Sequence, residues 1–388
     1  MHAATLLTLN AGSSSIKFAL FDSTNEQDEI ARGQVENIGA AANMRIAHAD
    51  GTASRSQIPA ADHDAALRAI LGAVQSLLGD RAVAGVGHRI THGGPDFAHP
   101  RELDVATLAR LREFIPWAPL HQPYNLAVVD GARAVFPAAR QIGCFDTAFH
   151  RGHDFVADCY ALPRAYYDKG VRRYGFHGLS YQYIAGRLRE VAPEVVQGRV
   201  VVAHLGNGAS MCALRDGKSV ACTMGFTALD GLAMGTRCGQ IDPGVLLYLL
   251  AQERMTVEQL ADLLYRRSGL LGLSGLSNDM RTLLESPTPE ARQALDYFVH
   301  RARMELGSLA SVLSGLDALV FCGGIGENSP DVRARICDGL EFLGVEVAAS
   351  ANVSNSAEIG AGACRVLVVP TFEERVMARA LHEFIGRG

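Results

Sequence analysis

The sequence predicts an α/β protein built from two domains. At 388 residues the chain exceeds what one ordinary hydrophobic core serves, so two domains are expected. Short apolar runs of strand length alternate with longer stretches of helical periodicity. One pattern also occurs twice: an apolar run, a Gly/Asn/Ser turn and a second apolar run, at residues 6–22 and again at 200–213. This repetition suggests an internal duplication, with one anion-binding hairpin per domain and the boundary near residues 147–150.

Composition narrows the function. Hydrophobic residues make up 48% and charged residues 20% of the chain, the balance of a globular protein in water. The net charge of −5, with no Lys/Arg-rich block, argues against a nucleic-acid partner. Anions must then be drawn in by local clusters rather than by the overall field. Eight cysteines, at 144, 159, 212, 222, 238, 322, 337 and 364, show no C-x-x-C pairing. They read as small buried hydrophobes in a reducing compartment. No secretion signal is apparent and no apolar run reaches 18 residues, so a cytoplasmic protein with no membrane association is expected.

Taken in order, the opening run Leu6–Asp22 is a β-hairpin whose tip carries Asn10, Gly12, Ser13, Ser14, Ser15 and Lys17. Glycine lets backbone N–H groups turn toward an anion, and the hydroxyls and Lys17 add donors. An ordinary serine-rich turn explains the same residues. Strands follow near 30–36 and 43–49. A helix from Asp62 to Gly79 places Ala66, Ile70, Val74 and Leu77 on one face. A strand at 83–87 leads into His88-Arg89-Ile90-Thr91-His92-Gly93-Gly94, and helices at 104–114 and 123–135 bracket a Pro-rich loop with His121. The strand 141–145 delivers Asp146 at its carboxyl end, where ligand-binding groups collect in open α/β sheets. Beyond the boundary, Tyr174–Ser180 leads into a helix to about 190. The second hairpin is tipped by Gly206-Asn207-Gly208, and Asp216-Gly217 marks a further hairpin turn. Helices are expected at 243–253 and 256–267, a polar loop at 273–281 and a long helix at 288–314. A strand at 317–322 ends in Gly323-Gly324-Ile325-Gly326, the last strand covers 365–369, and a terminal helix follows.

Several residues carry chemical weight. Three glycines in four residues after a strand let a nucleotide lie against the backbone near a helix N-terminus. Arg89 and Arg237 stand where an unpaired charge is costly, so each needs a bidentate carboxylate or phosphate partner, or else a structural ion pair. His88 and His92 are four apart, but Gly93-Gly94-Pro95 stops a helix there and a metal reading is weak. His121 and His177 lie in loops of a functional kind, although lone histidines there are commonly structural. Asp146 and Glu373 each follow a strand end, the usual setting of Mg²⁺ ligands in phosphoryl transfer and equally of helix caps.

Together these motifs closely resemble the acetate kinase family. The resemblance rests on Asn10–Lys17, Gly87–Gly94, Phe176-His177-Gly178, His204–Gly208, Gly235–Gly239 and Gly323–Asn328, which occur in family order across nearly the whole chain. It implies two ribonuclease H-like domains, of the kind found in actin-like ATPases, flanking an active-site cleft. Residues 1–148 would form the first domain and 149–371 the nucleotide-binding second, with the helix 372–388 packing back on the first. It implies reversible transfer of a phosphoryl group from ATP to acetate, giving ADP and acetyl phosphate, with Mg²⁺ (or Mn²⁺ in its place) in a homodimer.

By the same resemblance Arg89, Asp146, His177, Arg237 and His121 are catalytic, and Asn10 and Glu373 hold the metal. The acyl pocket takes Arg89, Leu120, Phe176, Thr91 and Ala228. The nucleotide site takes Lys17, His204, Gly206, Asn207, Gly208, Asp279, Met280, Arg281, Gly324, Ile325, Gly326 and Asn328. A carboxylate is ionised at pH 7 and needs no general base. The difficulty is bringing two anions together, which arginines, a metal ion and a histidine offset. The chain departs from the family at Phe372, where asparagine is usual, at Ala228, where proline is usual, and at Thr91, usually apolar. The last two suggest a wider, less apolar acyl pocket and make a propionate or short-chain acyl kinase the alternative. A nucleotide-binding regulator and an acyl-phosphate hydrolase are further readings, and the presence of Arg89, Arg237 and Glu373 speaks against the regulator.

Overall fold

In a computed structural model of the chain, residues 4–12, 15–25, 28–39 and 41–386 are described; Ser13 and Ser14 of the first hairpin tip lie outside them. The chain divides into two compact units, one of residues 1–149 with 372–388 and one of residues 150–371.

The first unit begins with β1 (Ala4–Ala11), β2 (Ile16–Asp22), β3 (Glu29–Glu36), β4 (Asn43–His48) and β5 (Ala53–Gln57). It continues through α1 (His63–Leu78), β6 (Ala82–Ile90), β7 (Arg101–Glu102), α2 (Val105–Glu113), α3 (Gln122–Val135) and β8 (Arg140–Phe145). The second unit carries α4 (Phe155–Asp158), α5 (Arg164–Asp168), α6 (Gly178–Val191), β9 (Arg199–Leu205), β10 (Ala209–Arg215) and β11 (Lys218–Cys222). Next come α7 (Pro243–Ala251), α8 (Val257–Arg266), α9 (Gly269–Ser274), α10 (Met280–Glu285), α11 (Pro289–Leu313) and β12 (Ala318–Cys322). The unit closes with α12 (Gly323–Asn328), α13 (Pro330–Cys337), α14 (Ala349–Val353) and β13 (Arg365–Val368). The terminal helix α15 (Glu373–Gly386) belongs to the first unit.

In the first unit the strands run in the order β5-β4-β3-β2-β1-β6-β8-β7. Seven of the eight β1 residues are buried, as a central strand covered on both faces requires. On one face, Ala66, Ile70, Leu71 and Val74 of α1 pack with Leu7, Leu9, Phe18 and Leu20. Asp62 caps α1 by accepting from the Ala65 N–H, satisfying one of the orphan donors of the first turn. On the other face α15 buries Met377, Ala378 and Leu381. Gly87 of β6 admits that helix: a Cβ there would stand 3.2 Å from Leu381 Cδ1 and 3.3 Å from Met377 Cβ. Phe372 lies 6.0 Å from the Phe21 ring and packs on the same cluster as α15.

In the second unit the order is β11-β10-β9-β12-β13. The β10–β11 turn holds Asp216 and Gly217 at φ 54° and 69°, the left-handed pair a two-residue hairpin demands. α11 buries Ala291, Ala294, Leu295, Phe298, Ala302, Leu306 and Leu309, the stripe its periodicity predicts.

The two units share a five-strand plan. β3-β2-β1 and β11-β10-β9 are antiparallel, and β1-β6-β8 and β9-β12-β13 are parallel. Two sequence expectations need correction. The segment 273–281, read as loop, contains the end of α9 and the start of α10; Gly275 at φ 62° closes α9. The five residues of β5 are all exposed and carry no alternation to read.

Candidate active site

In the first unit the sequence-predicted charges meet at the carboxyl ends of β6 and β8. Asp146, the residue after β8, is fully buried and its N–H donates to Ile90 O at 3.0 Å. Arg89 donates to it from two nitrogens: Nη2 lies 2.7 Å from Oδ2, and Nε lies 3.1 Å from both oxygens. Arg89 Nη1 also donates to Asn10 Oδ1 at 3.3 Å. The Asn10 amide in turn donates to Glu373 Oε2 at 2.8 Å and, more weakly, to Glu374 Oε1 at 3.4 Å. Asn10, Arg89, Asp146 and Glu373 therefore form one hydrogen-bonded chain that Glu374 joins. Desolvation works against the Arg89 charge, but Asp146 with Glu373 and Glu374 outweighs it and holds the guanidinium above its ordinary range. Burial pushes the Asp146 carboxyl upward, Arg89 opposes that rise and Glu373 adds to it. Glu374 is likewise pushed up by burial, against the pull of Lys17. Lys17 itself is exposed opposite Asn10 in the β1–β2 register.

Other first-unit candidates stand differently. Thr91 is buried, and its N–H and hydroxyl both donate to Asn125 Oδ1 at 2.9 Å. The Asn125 amide donates to Ala11 O. Nothing in the sequence singles out Asn125, yet it ties the first hairpin to the β6 loop. Half-buried His121 precedes α3 and its carbonyl accepts from the Asn125 N–H; Leu120 beside it is half-buried. His88 is a core residue: its Nε2–H donates to Gln141 Oε1, because the Gln141 amide is committed to Ala139 O. His92 Nδ1 accepts from the Gly94 N–H. The hairpin tip has a partner the sequence did not announce, since His63 Nε2–H donates to Gly12 O while its ring stacks on Tyr124.

In the second unit a separate group forms around the β9–β10 tip. Gly206 N–H donates to Gly208 O, tightening the turn. A Cβ on Gly208 would stand 2.6 Å from Arg237 Nη2 and 3.4 Å from His177 Nε2, so glycine lets both groups close on this backbone. Arg237 is oriented by Ala228, whose carbonyl accepts from Nη1 at 2.5 Å. His177 sits in the left-handed region at φ 56° after buried Phe176, and its ring lies 4.3 Å from that of His204. Asn207 is exposed; its carbonyl accepts from the Gly235 N–H and its Oδ1 from Asn278 Nδ2 at 3.5 Å.

The glycine turn after β12 adjoins this tip: a Cβ on Gly206 would be 3.9 Å from the Gly324 nitrogen, and Gly324 faces open space. Glu327 escaped the sequence reading although its carboxylate accepts from the Gly323 and Thr371 N–H groups. Asn328 accompanies it by donating to Gly324 O; Ile325 is half-buried. Fully buried Arg333 donates to Gly326 O and Glu327 O and to the Asn352 and Asn355 oxygens, fixing the far end of α12. In the 279–281 segment, Asp279 caps α10 by accepting from the Arg281 and Thr282 N–H groups. Met280 is buried, and the Arg281 side chain is 86% exposed.

The donor set of the first unit suits a hard divalent cation, since every available ligand is oxygen. Glu373 and Glu374 meet at Asn10, and each disfavours the other's charge. Among the described residues no three His, Cys, Asp or Glu side chains enclose a metal.

Known proteins are similar to this chain along nearly its whole length. The profile of the Acetokinase family matches residues 5–379. The chain is 55% identical to the acetate kinase of Methylocella silvestris over 96% of either chain. Among solved structures it is similar to Porphyromonas gingivalis acetate kinase, with a TM-score of 0.85 at 34% identity, covering 99% of this chain and 100% of that one. A propionate kinase from Francisella tularensis gives a TM-score of 0.88 at 31% identity, over 97% and 98% of the two chains. With the two-unit α/β architecture and both groups of residues in place, the chain belongs to the acetokinase family.

Proposed function

We propose that the protein is an acetate kinase. An oxygen of the acetate carboxylate attacks the γ-phosphorus of ATP in line, the bond to the β–γ bridging oxygen breaks, and ADP and acetyl phosphate leave; the reverse reaction makes ATP. The observation that carries this reading is the Arg89–Asp146 pair. A kinase for hydroxyl acceptors needs a free carboxylate as base, whereas Asp146 is held by two nitrogens of Arg89. A carboxylate acceptor needs no base, only compensation for bringing two anions together.

In this reading Arg89 and Arg237 bind the acyl carboxylate and the transferring phosphoryl group, His177 donates a hydrogen bond to that group, and His121 lies beside it. Asn10 and Glu373 hold Mg²⁺, or Mn²⁺ in its place; the bound ion neutralises phosphate charge. Lys17, His204, Gly206, Asn207, Gly208 and the segments 279–281 and 324–328 serve the nucleotide, with Leu120, Phe176, Thr91 and Ala228 at the acyl group.

We place the protein in the cytoplasm, since all eight cysteines are unpaired; among the described residues no helix is long and apolar enough to cross a membrane. We also propose a homodimer, supported by α7, whose sequence PGVLLYLLA lacks charge and buries none of its residues.

A second reading, propionate kinase, is favoured by Ala228 and by Thr91, whose hydroxyl is already satisfied by Asn125 and so adds no unpaired group to an acyl wall. One methylene in such a pocket discriminates by only ~1–3 kcal/mol. Mg²⁺-ATP-dependent acyl phosphate, trapped as the hydroxamate, together with ADP release, tests both readings with acetate, propionate, butyrate and glycerol. Product from the carboxylates and none from glycerol is expected; phosphorylated glycerol would sink the acyl kinase. A kcat/KM for propionate equal to or above that for acetate would bring the second reading forward.

A further inference from the structure

We infer that Ser210 and Tyr181 are positioning residues that hold His177 as the neutral tautomer with its proton on Nε2. The inference rests on the reading above, in which His177 contacts the transferring phosphoryl group. Ser210, in β10, is fully buried, and its Oγ lies 2.9 Å from His177 Nδ1 and 2.5 Å from Tyr181 Oη.

Three hydroxyl or imidazole groups share two hydrogen bonds here, and the protons must be distributed over them. Tyr181 is fully buried, and burial raises its phenol well above the ordinary range, so it carries its proton. Among the described residues Ser210 Oγ is the one acceptor in reach of that proton. Tyr181 therefore donates to Ser210. The serine proton then goes to its remaining neighbour, His177 Nδ1, which must accept. A proton on Nδ1 would leave one buried O–H unmade, the phenol's if the chain reversed or the serine's if Oγ accepted from both neighbours, at the cost of a desolvated donor. The chain thus places the ring proton on Nε2.

That atom faces a defined place. A Cβ on Gly208 would be 3.4 Å from Nε2 and 2.6 Å from Arg237 Nη2, so an N–H donor and a guanidinium flank the same side-chain-free backbone. Among the described residues, the charged and titratable groups around His177 include Arg237, Tyr181 from α6 and His204 from β9, with Cys322 of β12 behind at 3.8 Å from His204 Nδ1. The guanidinium also opposes a second proton on the ring. His177 then works as a neutral donor whose direction is set from behind, and Arg237 supplies the charge.

The backbone is held as well. His150 Nε2–H donates to Phe176 O at 3.0 Å, the carbonyl that precedes the left-handed His177. Its Nδ1 lies 2.7 Å from Ser219 Oγ, and Ser219 is in turn 2.7 Å from His153 Nε2.

The test is nitrogen NMR of the full-length protein labelled with ¹⁵N-histidine, with His177 assigned by difference against His177→Gln. At pH 7 the wild type is expected to show the proton on Nε2, and Ser210→Ala a mixture of tautomers. Tyr181→Phe, which removes the donor that orients the serine, is expected to show the same mixing. In steady-state assays Ser210→Ala should lower kcat by about 10- to 100-fold with both KM values little changed, and Ser210→Thr should restore most of it. A wild-type His177 protonated at Nδ1, or a tautomer unmoved in both variants, overturns the inference. A wild type that forms no acyl phosphate but carries the Nε2 proton overturns the acyl kinase reading and leaves the tautomer assignment standing.

Discussion

The Arg89–Asp146 pair sets what can be learned from single substitutions. Removing one partner of a buried pair leaves an uncompensated charge, so Asp146→Asn and Arg89→Ala are both expected to cut kcat by about 10²-fold or more. Arg89→Lys should recover little, because an ammonium cannot span both oxygens. Near-wild-type turnover in all three, measured by coupled ATP formation from acetyl phosphate, would remove the clamp. His88 makes a separate prediction about pH. Burial pushes its imidazole down from 6.5 to about 4, so the unfolded chain takes up a proton that the folded chain refuses. Stability should therefore fall as pH drops from 6.5 toward 4, by on the order of 3 kcal/mol from this group, and hold above 7. Urea unfolding at pH 7 and pH 5 measures this, and His88→Gln should flatten the slope. An unchanged slope would show that other groups carry the acid sensitivity. Arg89 was legible in the sequence because a charge ending an apolar strand demands a partner, and Asp146 because it closes a parallel strand. Asn125, Ser210 and Glu327 were not. Each looks like an ordinary polar residue in its own element, and its importance lies in a contact distant in sequence or in a backbone N–H it satisfies.

At the scale of elements, the glycine-tipped hairpins and the strand–glycine–helix junction were the readable features, because each is a local pattern with a local cause. The short helices α9 and α10 were unreadable for the opposite reason: Gly269, Gly272 and Gly275 suggest a loop, while tertiary packing of Leu270, Met280 and Leu283 holds the helices in place. Two glycines separate folding from ligand space. At Gly235 an added Cβ would lie 1.9 Å from Asn207 Oδ1, so Gly235→Ala must displace the exposed end of the second hairpin. It is expected to raise the KM for ATP about tenfold and to lower the melting temperature by several degrees. At Gly324 nothing lies within 4 Å of the added atom. Gly324→Ala should leave the melting temperature unmoved while still weakening ATP, if the nucleotide lies against that backbone. Calorimetry beside an ATP titration distinguishes the two, and full ATP affinity in a stable Gly324→Ala protein would take the nucleotide away from this turn.

At the scale of the whole molecule, the shared five-strand plan explains why two unlike sets of residues occupy equivalent places. In one unit Arg89 and Asp146 stand at the ends of β6 and β8, and in the other the glycine turn stands at the end of β12. In each case the partner is the first hairpin, with Asn10 in β1 or Gly206–Gly208 beyond β9. Parallel strands converge their carboxyl ends on one edge, so a duplicated fold offers that edge twice. One copy here carries acids and an arginine, the other backbone donors, a histidine and an arginine. What the plan leaves without a role is α7. Val245, Leu247, Tyr248 and Leu250 are 41%, 67%, 54% and 37% exposed, and Tyr248 anchors its hydroxyl on Glu253. A helix apolar all round is ordinarily buried, and contiguous exposed apolar surface marks an interface. Burying it on a second copy satisfies both, since the same patch then covers itself. On the proposed homodimer, Leu247→Glu is therefore expected to shift the protein from dimer to monomer in sedimentation velocity at micromolar concentration, because each copy would bury a carboxylate in the apolar patch. The far-ultraviolet circular dichroism should be unchanged, as Leu247 is two-thirds exposed within its own chain. A variant that sediments as the wild-type dimer would place the interface elsewhere, and a monomeric wild type would leave α7 for a partner other than this chain.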